Sequence, residues 1–94
     1  MKAAADTLRI AAEAVCGERN ESYGSPVDDF GTQAEMIGSY LSRTNGHRVV
    51  VTASDIAAMM ILVKLARQAH RPKADNWIDA AGYAACGAQC DSEL

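Results

Sequence analysis

The sequence predicts an all-α protein, a compact bundle of about four helices around a buried central third helix. Three observations carry that expectation. Eighteen of the 94 residues are alanine, against five aromatics, Tyr23, Phe30, Tyr40, Trp77 and Tyr83. A core of many small and few large side chains suits helices at close approach better than a sandwich of sheets. Apolar residues recur at helical rather than alternating spacing. N-caps stand before the second and third runs, Ser25 and Thr52.

The first helix is expected over 1–17, with Ala3 to Cys16 as its regular part and Gly17 closing it. At about 100° per residue Lys2, Asp6, Arg9 and Glu13 form a solvated stripe, leaving Leu8, Ala11, Ala12 and Val15 on another face. A polar loop over 18–26 follows, punctuated by Gly24 and Pro26. Pro26 opens a second helix over 26–41, with Ser25 as N-cap and Asp28 and Asp29 at the positive end of its dipole. Phe30, Ala34, Ile37 and Leu41 share one face of it and Glu35 lies on the other. Gly31 and Gly38 cost helix propensity, which implies close backbone contact with another helix or a ligand.

Residues near 45–51 contain an Asn45-Gly46 turn and the run Val49-Val50-Val51, a small hairpin or an extended linker. Thr52 and Asp55 form a variant capping box for the third helix, 53–70. Ile56 to Val63 contains no polar residue, so this helix is expected to be buried nearly all round. Lys64, Arg67 and Arg71 share one of its sides. Pro72 ends it, and Lys73 or Asp75 opens a last helix over 74–90. There Asp75, Asn76, Asp79, Tyr83 and Cys86 line one face, and Trp77, Ala81, Ala84 and Ala88 the opposite one.

A chain of 94 residues allows one domain. Its net charge of −3 and pI near 5.2 argue against a nucleic-acid polymer as partner. No apolar run reaches the length of a membrane span, the start lacks the apolar core of a signal peptide, and three cysteines do not make a disulfide scaffold. A cytoplasmic location is the expectation.

Three constellations carry chemistry. Asp75 and Asp79, four apart, put two carboxylates on one helix face, able to share a divalent cation whose other positions are filled by phosphate and water. The alternative is a helix cap and a surface ion pair. Lys64 and Arg67 supply a point charge and a planar fork, suited to phosphate. Alternatively they snorkel to water or neutralise Asp75 and Asp79. Arg19 and Tyr23 in the loop offer a phosphate grip and a stacking ring, with Asp28, Asp29 and Glu35 following. Cys86 and Cys90 lack further ligands at zinc spacing and read as small buried residues.

The segments Arg19 to Pro26, Asp55 to Arg67 and Asp75 to Tyr83 resemble, in that order, a family of small phage and prophage proteins of unknown function. More distantly they are similar to MazG-like all-α nucleoside triphosphate pyrophosphatases and to phage domains associated with nucleotide modification. That resemblance implies Mg²⁺ held by Glu35, Asp75 and Asp79, with Glu35 and Asp79 catalytic. Arg19, Tyr23, Lys64, Arg67, Asn76 and Tyr83 would contact the nucleotide. The sequence departs from those enzymes in having no Glu-x-x-Glu in the second helix. The same residues would serve an accessory protein that sequesters a nucleotide messenger without chemistry, or a helical module that binds another protein. A homo-oligomer is the expected assembly.

Overall fold

A computed structural model describes residues 3–92, apart from the side chains at 16 and 18–20. Within them lie five helices and no strand: α1 (Ala3–Cys16), α2 (Glu18–Tyr23), α3 (Pro26–Asn45), α4 (Ala53–His70) and α5 (Ala74–Ser92). The α5 helix is the hub of the bundle, packing on α4 most extensively and on α1 and α3 as well. Among the described residues no helix is long and apolar enough to cross a membrane.

Local chemistry accounts for the boundaries. Ser25 caps α3, its Oγ accepting from the Asp28 backbone N–H at 3.2 Å, and Pro26 follows at the first turn. Thr52 and Asp55 close a reciprocal capping box on α4: the Asp55 N–H donates to Thr52 Oγ1, and the Thr52 N–H to Asp55 Oδ2 at 2.9 Å. Glu18–Tyr23, expected as loop, is a short helix instead. The breakers that suggested a loop, Gly24 and Pro26, both stand beyond its end.

Nor does α3 stop at Leu41; it continues to Asn45. Gly46 is its left-handed C-cap (φ 71°), donating to the Ser42 carbonyl at 3.1 Å, so the Asn-Gly pair ends a helix rather than turning a hairpin. Beyond it the chain runs back extended along α3. Ser42 Oγ accepts from the Val49 N–H at 2.8 Å and donates to the Val49 carbonyl at 3.2 Å. Gly38 permits that approach, because a Cβ there would lie 3.4 Å from the Val49 carbonyl oxygen. The close contact anticipated for this glycine is therefore with the linker, not with a second helix.

The core is built from Phe30 and Ala34 of α3, Ile56 and Ala57 of α4, and Cys86 and Cys90 of α5. Tyr83 lies against Phe30 with ring centroids 6.1 Å apart. The inner face of α5 is thus the one carrying Asn76, Asp79, Tyr83 and Cys86, while Trp77, Ala84 and Ala88 are exposed.

The expectation for α4 needs correction. It touches both α3 and α5 and is central, but it is not buried all round. Ile56 and Ala57 are buried, whereas Ala58, Met59, Leu62 and Leu65 are exposed. Two neighbours cover only one side of a helix, and among the described residues no third helix crosses the other.

Candidate functional site

The turn from α4 to α5 is held by one buried side chain. Asn76, 8% exposed, donates from Nδ2 to Gln68 Oε1 at 3.0 Å and to the Arg71 carbonyl at 3.4 Å. The same Gln68 oxygen accepts from the Lys73 backbone N–H at 2.9 Å. The Asn76 N–H in turn donates to the Lys73 carbonyl, which starts α5. A buried amide is costly unless its donors are used, so this network fixes the path of Arg71, Pro72 and Lys73. Asn76, expected as a ligand contact, thus has its amide nitrogen engaged in building the turn.

Against this turn lies a cavity of about 510 Å³, lined by Val63, Ala66, Arg67, His70, Arg71, Lys73 and Asn76. Its walls are largely apolar and its charges all positive. Among the described residues none of Arg67, Arg71 and Lys73 forms an ion pair. The first turn of α5 stands beside them, where the helix dipole is positive. Of these residues the sequence pointed to Arg67 and, less strongly, Arg71. Lys73 was missed as a site member because only the folded turn carries it back over the end of α4, and His70, the last residue of α4, because it stood isolated in the sequence.

Lys64 is placed elsewhere. It leaves the inner side of α4, and Nζ donates to Asp79 Oδ2 of α5 at 2.8 Å. The lysine side chain is 14% exposed and the aspartate 44%. An ammonium at that depth needs a counter-charge, and Asp79 supplies it. Lys64 and Asp79 therefore tie α4 to α5, while Asp75 and Arg67 stand exposed outside this pair.

The three carboxylates expected to hold Mg²⁺ do not converge. Glu35 is exposed on α3, beside an open groove along the 48–51 linker. Asp79 borders a cleft of about 80 Å³ between α1 and α5, with Val15 and Tyr83, too small for a nucleotide. Asp75 points to solvent. Among the described residues no group of three His, Cys, Asp or Glu is close enough to share a metal ion. Within one chain Glu35, Asp75 and Asp79 therefore do not form a single ligand set. Of the remaining expected ligand contacts, Tyr83 packs in the core, Tyr23 is exposed at the end of α2, and the Arg19 side chain lies outside the described residues. Cys86 and Cys90 are buried, as small core residues.

With the geometry in place, the sequence can be set beside known proteins. Residues 6–91 match the family model described as "Domain of unknown function (DUF6378)". The chain belongs to this family. The Gene 55 protein of Mycobacterium phage D29 is 36% identical over 83 residues, covering 84% of this chain and 49% of that protein. The DUF6378 chain thus spans about half the length of the curated relative it matches. No solved structure matches it significantly. A family match over almost the whole chain and a phage relative make this a phage-associated protein, in line with the nearer of the two resemblances in its sequence.

Proposed function

We propose that this DUF6378 protein binds a phosphorylated small molecule of the nucleotide class in the cavity at the α4–α5 turn. The observation that carries the reading is the set of cations Arg67, Arg71 and Lys73, without an ion pair among the described residues, around an apolar-walled cavity of about 510 Å³. Cavities of roughly 300–1,000 Å³ hold ligands of nucleotide size. Arginine offers phosphate a bidentate planar fork and lysine a mobile point charge. Val63 and Ala66 give a non-phosphate body, such as a base or sugar, an apolar wall.

Binding is the activity this geometry supports, not hydrolysis. A pyrophosphatase of the MazG-like kind needs acidic residues gathered on the phosphates, and here every charged residue lining the cavity is basic. Lys64 and Asp79 hold the helices, and Asn76 holds the turn on which the cations ride.

The test is calorimetric titration of the purified protein with ATP, thymidine triphosphate and inorganic tripolyphosphate. A nucleotide should bind at least tenfold more tightly than tripolyphosphate, because it also uses the apolar wall. The double variant Arg67→Gln, Arg71→Gln should weaken nucleotide binding by tenfold or more at unchanged helicity. Equal affinity in that variant, or no binding across the panel, overturns the proposal. Phosphorus NMR of the same mixtures with Mg²⁺ checks the chemistry. New monophosphate and pyrophosphate signals would refute the non-catalytic reading.

A further inference from the structure

The outer face of α4 carries a pattern centred on residues that do not line the ligand cavity, with Ala66 at the edge of both. Ala58, Leu62, Leu65 and Ala69 follow one another at intervals of four, three and four, the spacing of a helix–helix seam, flanked by Met59 and Ala66. In the single chain this face is open: Leu62 is 64% exposed, Leu65 41% and Met59 38%. At about 100° per residue the inner side chains Ile56, Ala57, Met60 and Lys64 all lie on the other side.

We propose that two copies of this chain pair through this face, their α4 helices antiparallel about a two-fold axis at Leu62. Three observations choose the occupant and the direction. The first is area. A compact protein of 10.0 kDa exposes about 5,200 Å², yet this chain exposes 6494 Å². The excess over the whole chain, roughly 1,300 Å², exceeds the ~800 Å² per partner of a standard interface. Consistently, the radius of gyration is 14.6 Å against about 12 Å for a compact chain of this length.

The second is self-complementarity. With Leu62 on the two-fold axis, antiparallel registration sets Leu62 on the partner's Leu62, Met59 on the partner's Leu65, and Ala58 on the partner's Ala66. Large meets large near the axis, and alanines at both ends let the backbones approach closely. The third is electrostatic. Asp55 stands exposed at the start of the seam; a parallel pair would set it beside the partner's Asp55, whereas an antiparallel pair sets it by the partner's Ala69. Opposed helix dipoles favour the same direction. Lys64 and Asp79 stay inside each copy, so the pairing disturbs none of the contacts that hold the single chain.

Sedimentation velocity at micromolar concentration tests the assembly. Wild-type protein should sediment with twice the 10.0 kDa chain mass, and Leu62→Glu with the chain mass at unchanged helicity. Two cysteine variants test the register independently of whether Leu62→Glu keeps its fold. Under mild oxidation Leu62→Cys should give a dimer band above the wild-type background, because the residue faces its own copy across the axis. Ala69→Cys should not, because it faces the partner's Asp55. A wild-type monomer, a dimer that survives in Leu62→Glu, or crosslinking through Ala69→Cys in place of Leu62→Cys overturns the proposal.

Discussion

Lys64 and Asp79 offer a cycle whose result separates a structural pair from a catalytic one. At 2.8 Å and an effective dielectric near 20, the gross attraction is about 6 kcal/mol. Desolvation offsets most of it, and a hydrogen bond to a charged group retains about 1.5–3 kcal/mol. The two partners are not equivalent, however. Asp79→Asn leaves an ammonium that is 14% exposed without its counter-charge, a cost of about 2 kcal/mol. Lys64→Met leaves a carboxylate that is 44% exposed, which water can solvate, so its cost is about 0.5–1 kcal/mol. The double variant should then be no worse than Lys64→Met alone, with a coupling of about 2 kcal/mol or more. Unfolding entropy of ~2.1 cal/mol/K per residue makes 2 kcal/mol worth about 10 °C in Tm for a chain of this length. The assay is thermal and urea unfolding of the four proteins followed by far-UV circular dichroism. Protein concentration must be held fixed, because pairing of copies makes Tm concentration-dependent. An Asp79→Asn protein as stable as wild type, or additive single effects, would refute the structural role and restore Asp79 as a candidate for chemistry.

Other consequences follow from the packing. Gly31→Ala should stabilise the protein by about 1 kcal/mol, because a Cβ there meets nothing within 4 Å. Gly38→Val should destabilise it, since the first carbon already meets the Val49 carbonyl in van der Waals contact at 3.4 Å and the further carbons of valine push the linker away and break the Ser42–Val49 bonds. Thermal melts of the two variants should move in opposite directions. Asn76→Ala should cost about 1–3 kcal/mol and also weaken nucleotide binding in the calorimeter, because Arg71 and Lys73 lose the turn that places them.

What the sequence disclosed was what depends on neighbours within one turn of helix. Ser25 before Pro26, and Thr52 three residues before Asp55, name their caps because a cap is a contact between residues i and i+3. The face shared by Asn76, Asp79 and Tyr83 was legible for the same reason, since helical periodicity alone puts them together. Distances between helices were not. Glu35 and Asp79 suit one metal ion by type, but they stand on α3 and α5 and border different clefts. No spacing in a sequence reports how two helices rotate about their own axes. Lys73 failed to stand out for a related reason: a lone surface lysine gains meaning only from the Gln68 and Asn76 bonds that bend its backbone over the end of α4.

The apolar run of α4 carries the argument one step further. Ile56 to Val63 reads as a helix hidden on every side, and the single chain hides only half of it. The pattern states a demand for burial without saying whose atoms meet it. One side is met by α3 and α5 through Ile56, Ala57 and Met60. The other carries leucines in its middle and alanines toward its ends, and that arrangement meets itself in register when reversed. A surface meant for solvent would have interrupted Ala58, Leu62, Leu65 and Ala69 with charge, as α1 does with Asp6, Arg9 and Glu13, whose exposed ion pairs run along its open side. The contrast between these two helices, of one chain and one composition, is why the open face of α4 is read as half of an interface and not as a surface.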